Sequence, residues 1–369
     1  MERYRDMTIK KRSNLKMLRN LIFFLLLIVF TFWYIFRGQS ISDIVDTIKN
    51  TDLKFIGLAT LLMFFYFVME SYNIRSVVTS LGDKKLSFLK HLKFTFICFF
   101  FSAITPASTG GQPVEVYYMA KEGISPANGS MAMLIELSSY QIGVVFFAIL
   151  SALIFPDILH GKATIFFFLG LACNIFVLTM MLISIFSKKI TKKIVDFFIN
   201  MLKVFKVNHL EKKREKILES LNQYNKSAAY IKKHKIEFIK SIGRVLIQII
   251  CYFSITYTVY RAFGLNDFSY FRVFAMQAIL FNSVCCLPLP GSIGVSESLF
   301  LKIFGPAFGH VLLGSAMLTF RFASFYFYIL ISAIVVIYST IKTKDIVSVV
   351  DKDIAEIDNY KTGAIPVLN

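Results

Sequence analysis

Apolar residues in this chain come in runs of about 20, long enough to cross roughly 30 Å of hydrocarbon as helix. The runs predict membrane spans over residues 18–36, 53–78, 126–155, 163–186, 241–263 and 308–340. Trp33 and Tyr34 end the first run, where interfacial aromatics belong. The last run is long for a single span and holds Arg321 in its middle, which predicts a tilt, a kink or a break near that residue. Two further apolar stretches, 94–121 and 273–304, are interrupted half way by Pro and Gly. Neither limb of either stretch is long enough to span. Each pair reads as a re-entrant hairpin that enters and leaves on one side, with its irregular backbone buried in protein or lining a wet cavity.

The two interruptions match. Pro106 precedes Glu115 by the same distance as Pro288 precedes Glu297, and Gly123 and Gly305 follow their prolines at one spacing. The common offset also carries the span at 53–78 close to that at 241–263, and the span at 126–155 onto the last one. The hairpins lie an odd number of crossings apart, so they open to opposite sides. This predicts an all-α polytopic membrane protein with an inverted-topology repeat, about six full spans and two Pro/Gly-broken re-entrant hairpins. Repeat A covers 18–155 and repeat B 163–341. A basic amphipathic insertion occupies 187–240, with a basic N-terminal segment at 1–17 and a tail at 342–369.

Charge orients this frame. The chain carries 41 Lys and Arg against 23 Asp and Glu, is 56% hydrophobic and has a mean hydropathy of +0.62. Soluble domains sit near 45–50% apolar. The basic residues fall between the apolar runs, so membrane orientation explains them better than nucleic acid, and no DNA partner is expected. Lys84, Lys85, Lys90 and Lys93 follow the second span, and fifteen Lys and Arg stand against five Asp and Glu in the insertion. The positive-inside rule puts these segments and both termini in the cytoplasm, in what is expected to be a bacterial plasma membrane. Ile190, Ile194, Phe197, Met201 and Phe205, and then Ile217, Leu221, Tyr224, Ala228 and Ile231, recur at helical spacing. Both sets predict amphipathic helices on the inner leaflet or on the bundle.

Candidate chemistry centres on the breaks. Gln112 is placed to cap the return limb of the first hairpin, with Pro113 in the first helical position and Glu115 in the third. Gly294 and Glu297 take the equivalent places in the second. Each half then aims a helix N-terminus, with its positive end charge and loose amides, into the membrane, a setting suited to a phosphate. Glu115 and Glu297 either satisfy those amides or contact a cationic or hydroxylated head group. Glu136 and Arg321 lie within spans, where ionisable residues are costly and functional by default, and are placed to pair. Arg321 is equally suited to a structural ion pair or a lipid phosphate. Glu70 and Arg75 sit nearer the inner end of their span and are read as interfacial. The translocation-path residues are therefore Pro106, Ser108, Gly110, Gly111, Gln112, Glu115, Glu136, Pro288, Gly291, Gly294, Glu297 and Arg321.

Enzymatic signatures are missing. No phosphate-binding loop or dinucleotide fingerprint occurs, and Gly294-Val295-Ser296-Glu297-Ser298 misses a nucleophile elbow at its fifth residue. The five cysteines all lie in apolar segments without a disulfide or metal spacing, and the five histidines are scattered. No metal, cofactor or catalytic residue is expected.

Pro106-x-Ser108-x-Gly110-Gly111-x-Pro113-x-Glu115, with Pro288-x-Pro290-Gly291-x-x-Gly294-x-x-Glu297, resembles the transmembrane region of lysylphosphatidylglycerol synthases, the flippase-like region of the bacterial multiple peptide resistance factor. The likeness covers about residues 15–340. It implies translocation of a polar-headed lipid, aminoacyl-phosphatidylglycerol first and a glycolipid or polyprenyl-linked lipid second. The implied partners are anionic or aminoacylated membrane lipids and a separate synthase protein. The alternative implied is a lysyl-tRNA-dependent phosphatidylglycerol lysyltransferase, or its membrane subunit, in lipid metabolism and cationic peptide resistance. tRNA would be a partner only under that alternative. The short stretch after residue 341 is not expected to form the synthase domain.

Overall fold

The structure is a computed structural model that describes residues 51–105, 108–187, 225–226, 228–233, 235–284 and 295–339, without the side chains of Lys162, Phe186, residues 295–298 and His310. The predicted span at 18–36, the first amphipathic helix of the insertion, and Pro106, Pro288, Gly291 and Gly294 fall outside the described residues.

Within them the chain is helical. Helix α1 is Leu53–Ser80, α2 Phe88–Ala103, α3 Gly111–Lys121, α4 Pro126–Ile154, α5 Lys162–Phe186, α6 Lys235–Ala262, α7 Tyr270–Val284 and α8 Val295–Arg321. Asp52 caps α1 through the Lys54 amide, 2.9 Å away. Gly123, at φ +92°, ends α3, and the Ile124 amide returns to the Met119 carbonyl at 3.1 Å; only a residue free to adopt the left-handed region closes a helix this way. Pro126 then opens α4 in the first turn, where its missing N–H is not needed. Helix α8 breaks at Gly309, at φ +67°, just after Pro306. A continuous apolar helix follows over Val311–Ser339, interrupted by a π-helical segment at Phe322–Tyr326 directly after Arg321.

Among the described residues, five helices are long and apolar enough to span: Leu53–Ser80, Pro126–Ile154, Ala163–Ile185, Lys235–Ala262 and Val311–Ser339. They match the predicted spans that lie in described sequence. Helices α2, α3 and α7, of 16, 11 and 15 residues, are about 16–24 Å long and too short to cross. Leu53, Leu153, Ile165, Phe271, Leu330 and Ile334 are all more than half exposed. Such an apolar exterior suits a lipid solvent. This is a multi-pass, all-α membrane protein.

The repeat register is close. Ser80 and Ala262 close α1 and α6, 182 residues apart. Phe88 and Tyr270, which open α2 and α7, keep the same offset. Helices α1 and α6 pack against each other in opposite directions. The Asp52 amide, at the start of α1, donates to the Ala262 carbonyl at the end of α6 (3.0 Å). Asn73, late in α1, donates to Ser241, early in α6 (2.9 Å). Equivalent helices that cross antiparallel are the packing an inverted repeat produces.

The core gathers around this crossing. Phe67 meets Phe96, Phe99 and Tyr328 at ring separations of 5.0–5.1 Å. The Tyr328 hydroxyl donates to the Thr60 carbonyl at 2.6 Å. Ala228 and Ile231, from the second amphipathic set, are buried with Ile74, Val77 and Met131. That part of the insertion therefore packs on the bundle.

Candidate functional site

The first hairpin turns between α2 and α3. Thr105 accepts the Gly110 amide at its hydroxyl (2.9 Å) and donates that hydroxyl back to the Phe101 carbonyl (2.7 Å), which holds the turn on the end of α2. Ser108 adopts φ +54°, a conformation uncommon outside glycine. Helix α3 starts at Gly111 with Gly110 as its cap. A Cβ on Gly111 would lie 2.5 Å from the Cys98 carbonyl and 2.0 Å from the Ser102 hydroxyl. The two glycines therefore let the limbs meet backbone to backbone.

This start corrects the sequence reading. Gln112 is not the cap; it is the second helical residue, Pro113 the third and Glu115 the fifth. Glycines at 110 and 111 extend the helix backwards because nothing on them blocks the approach to α2. Pro113 still sits within the first turn, where it breaks no helical hydrogen bond. Glu115 lies beyond that turn, so it is out of place to satisfy the loose amides. It is 1% exposed, its Oε2 has no hydrogen-bond partner among the described residues, and the Cys98 thiol sits against it. In the second repeat α8 is described from Val295 onward, and the equivalent helix start, with the place of Glu297 relative to it, lies outside the described residues.

Beside the hairpin lies a cavity of about 340 Å³. Ser108 and Gln112 line it from the turn and α3, Glu136 from α4 and Arg321 from α8. Four of the predicted residues thus meet in one place. The π segment puts Ser324 and Phe325 on the cavity wall with Arg321; Phe327 closes it by bonding five residues back to Phe322. Such segments recur at functional sites. Tyr66, Tyr140, Tyr252 and Phe281 form an aromatic wall, with ring separations of 5.6–6.5 Å.

One reading changes here. Glu136 and Arg321 line the same cavity. Glu70, read from sequence as interfacial, also lines the cavity, within electrostatic range of Glu115 and Glu136. The sequence located its depth but not its direction; its one-turn spacing from Tyr66 was the available signal. Gln248 was missed altogether. It is 1% exposed on α6 and turned toward Glu136, with both amide atoms unpartnered among the described residues. Arg75 does sit apart, with its Nε on the Leu86 carbonyl at 3.0 Å.

No group of three or more His, Cys, Asp or Glu among the described residues is arranged to hold a metal ion. Cys98 and Cys251 form no disulfide among the described residues.

Residues 20–332 match the family described as the lysylphosphatidylglycerol synthase TM region. The chain is also 23% identical over 307 residues to a UPF0104 membrane protein of Archaeoglobus fulgidus, a match covering 81% of this chain and 90% of that one. The chain belongs to the lysylphosphatidylglycerol synthase TM region family.

Proposed function

We propose that this protein moves a polar-headed lipid between the leaflets of its membrane. The observation that carries the reading is the cavity: a broken hairpin, three acidic or amide side chains (Glu70, Gln112 and Glu136) and Arg321 meet inside an apolar bundle. Charged groups at this depth are expensive and mark transport paths. At about 340 Å³ the cavity lies at the small end of ligand sites, the size of a head group rather than a whole lipid. Acyl chains would stay in the bilayer while the head group crosses.

The charges suit a head group of mixed sign. Arg321 offers a fork of donors to a phosphate. Glu70 and Glu136 offer acceptors to amines or hydroxyls. Aminoacyl-phosphatidylglycerol carries both kinds of group and is the first substrate proposed, with a glycolipid or polyprenyl-linked lipid second. By the charge bias of its loops, the first hairpin opens to the cytoplasm.

The test is leaflet exchange by the purified chain in liposomes holding labelled lysyl-phosphatidylglycerol, phosphatidylglycerol or a glycolipid. The expected result is faster exchange of at least one of them than in protein-free vesicles. Glu136→Gln and Arg321→Gln are expected to fold and to lower that rate more than tenfold, an interaction difference of about 1.4 kcal/mol or more. Background exchange for all three lipids would defeat the proposal. Against the transferase alternative, the chain given lysyl-tRNA and phosphatidylglycerol is expected to form no lysylated lipid.

A further inference from the structure

We infer that Glu70, Glu115 and Glu136 form a proton-binding site through which head-group movement draws on a transmembrane proton gradient. The inference rests on the transport reading and supplies its energy source.

Glu70 on α1 and Glu136 on α4 line one cavity, Glu115 on α3 lies within electrostatic range of both, and Arg321 is the cation among the cavity's described lining residues. Like charges at low dielectric repel. One guanidinium does not balance three carboxylates, and a further positive charge that binds and leaves would relieve the site. A bound metal ion needs several oxygen ligands at once. The carboxylates are not spaced to share one, since no such cluster exists among the described residues. A proton needs one oxygen, and the arrangement supplies it.

Two independent features point to that ligand. Glu115 keeps a buried, unpartnered Oε2 and does not serve the helix start. Gln248 turns a buried amide toward Glu136 with neither atom otherwise bonded among the described residues. An amide can donate to a carboxylate and accept from a carboxylic acid, so it tolerates both protonation states. Among the described residues, the other groups that titrate or carry charge around the cluster are Tyr66 on α1, Cys98 on α2, Tyr140 on α4 and Tyr252 on α6, with Arg321 on α8. The Tyr66 and Tyr140 hydroxyls approach each other within electrostatic range of Glu70 and Glu136 and offer a path for the proton. The step balances simply. An O–H bond forms on a carboxylate facing one side and breaks when the site faces the other, with one proton crossing and no other reactant.

The full chain in lipid nanodiscs is tested first by infrared difference spectroscopy over a pH ramp. A carboxylic-acid carbonyl band that titrates and shifts on deuteration is expected, with part of its intensity lost in each of Glu70→Gln, Glu115→Gln and Glu136→Gln. Wild-type-like bands in all three variants would overturn the proton site whatever the transport result. If a variant does not fold, the wild-type chain still decides: no titrating band at all overturns the site. In liposomes, an imposed gradient of one pH unit is expected to bias the labelled lipid about tenfold between leaflets for one proton per lipid. Fast exchange that ignores the gradient would overturn the coupling and leave the transport reading standing. No exchange under any gradient would overturn both.

Discussion

The two halves of the bundle share a backbone plan and differ in what they put on it. Helices α1 and α6 cross antiparallel, yet the two ends of their crossing are unlike. At one end Asn73, Ser241 and Ser139 form a polar seam, with Ser139 and Ser241 3.0 Å apart. At the other, the equivalent positions are Ala59 and Ile255, fully buried in the apolar core. The cavity shows the same asymmetry. Glu70 and Glu136 belong to repeat A, and their counterparts in repeat B are Tyr252 and Leu318. Arg321 belongs to repeat B, and its counterpart is Ser139. Antiparallel duplication supplies a frame with two equivalent faces. Substitution within it puts acidic residues on the cavity from one repeat and a basic residue from the other.

The hairpins provide the strongest test of this contrast. Gly110 and Gly111 of repeat A correspond to Ser292 and Ile293 of repeat B. Putting the repeat B residue into repeat A, as Gly111→Ile, drives a side chain into the Cys98 carbonyl. The backbone there cannot yield without separating α2 from α3. The expected loss is on the order of 3 kcal/mol, the upper range for overpacking, read as a lowered melting temperature in detergent. A wild-type melt would mean the limbs of repeat A need no closer approach than those of repeat B.

Asn73 probes the seam. Besides Ser241 it also reaches Arg244, whose Nη1 lies 3.4 Å from its Oδ1. Asn73→Ala leaves Ser241 bonded to Ser139 alone and is expected to cost about 1–2 kcal/mol. A neutral result would make the polar end as dispensable as its apolar twin.

The smallest effect concerns Glu122, at the exit of the first hairpin. Lys90 hydrogen-bonds it at 2.6 Å and Lys93 approaches at 3.4 Å. The bond from Lys90 holds the Glu122 carboxyl below its ordinary value, burial opposes this in part, and the nearby Lys93 charge assists. Because the folded value is depressed, the stabilisation is full above the ordinary glutamate range near pH 4. It is lost as pH falls through the depressed value. Both partners are partly exposed, so its size is about 0.2–1 kcal/mol. The repeat B counterpart is Phe304, stacked on Phe300 at 4.5 Å, which carries no such dependence. Melting curves of wild type and Glu122→Gln from pH 7 to pH 3 are expected to differ at neutral pH and converge in acid.

Run length, Pro/Gly breaks and a repeated offset are one-dimensional features, and they sufficed to locate the described spans, the first interrupted stretch and the pairing of α1 with α6. Bilayer thickness and backbone hydrogen bonding impose them on the chain locally. Charge placed Glu136 and Arg321 in the membrane for the same reason. What needed the tertiary structure was direction. A helix turns about 100° per residue, so depth along the axis says nothing of which neighbour a side chain meets. Glu70 therefore read as interfacial until packing turned it to the cavity. Gln248 had no signal until α6 crossed α1, and Glu136 and Arg321 are brought to one cavity only by the packing of α4 and α8. The start of α3 at Gly111 was likewise decided by the closeness of α2, a contact that no local propensity encodes.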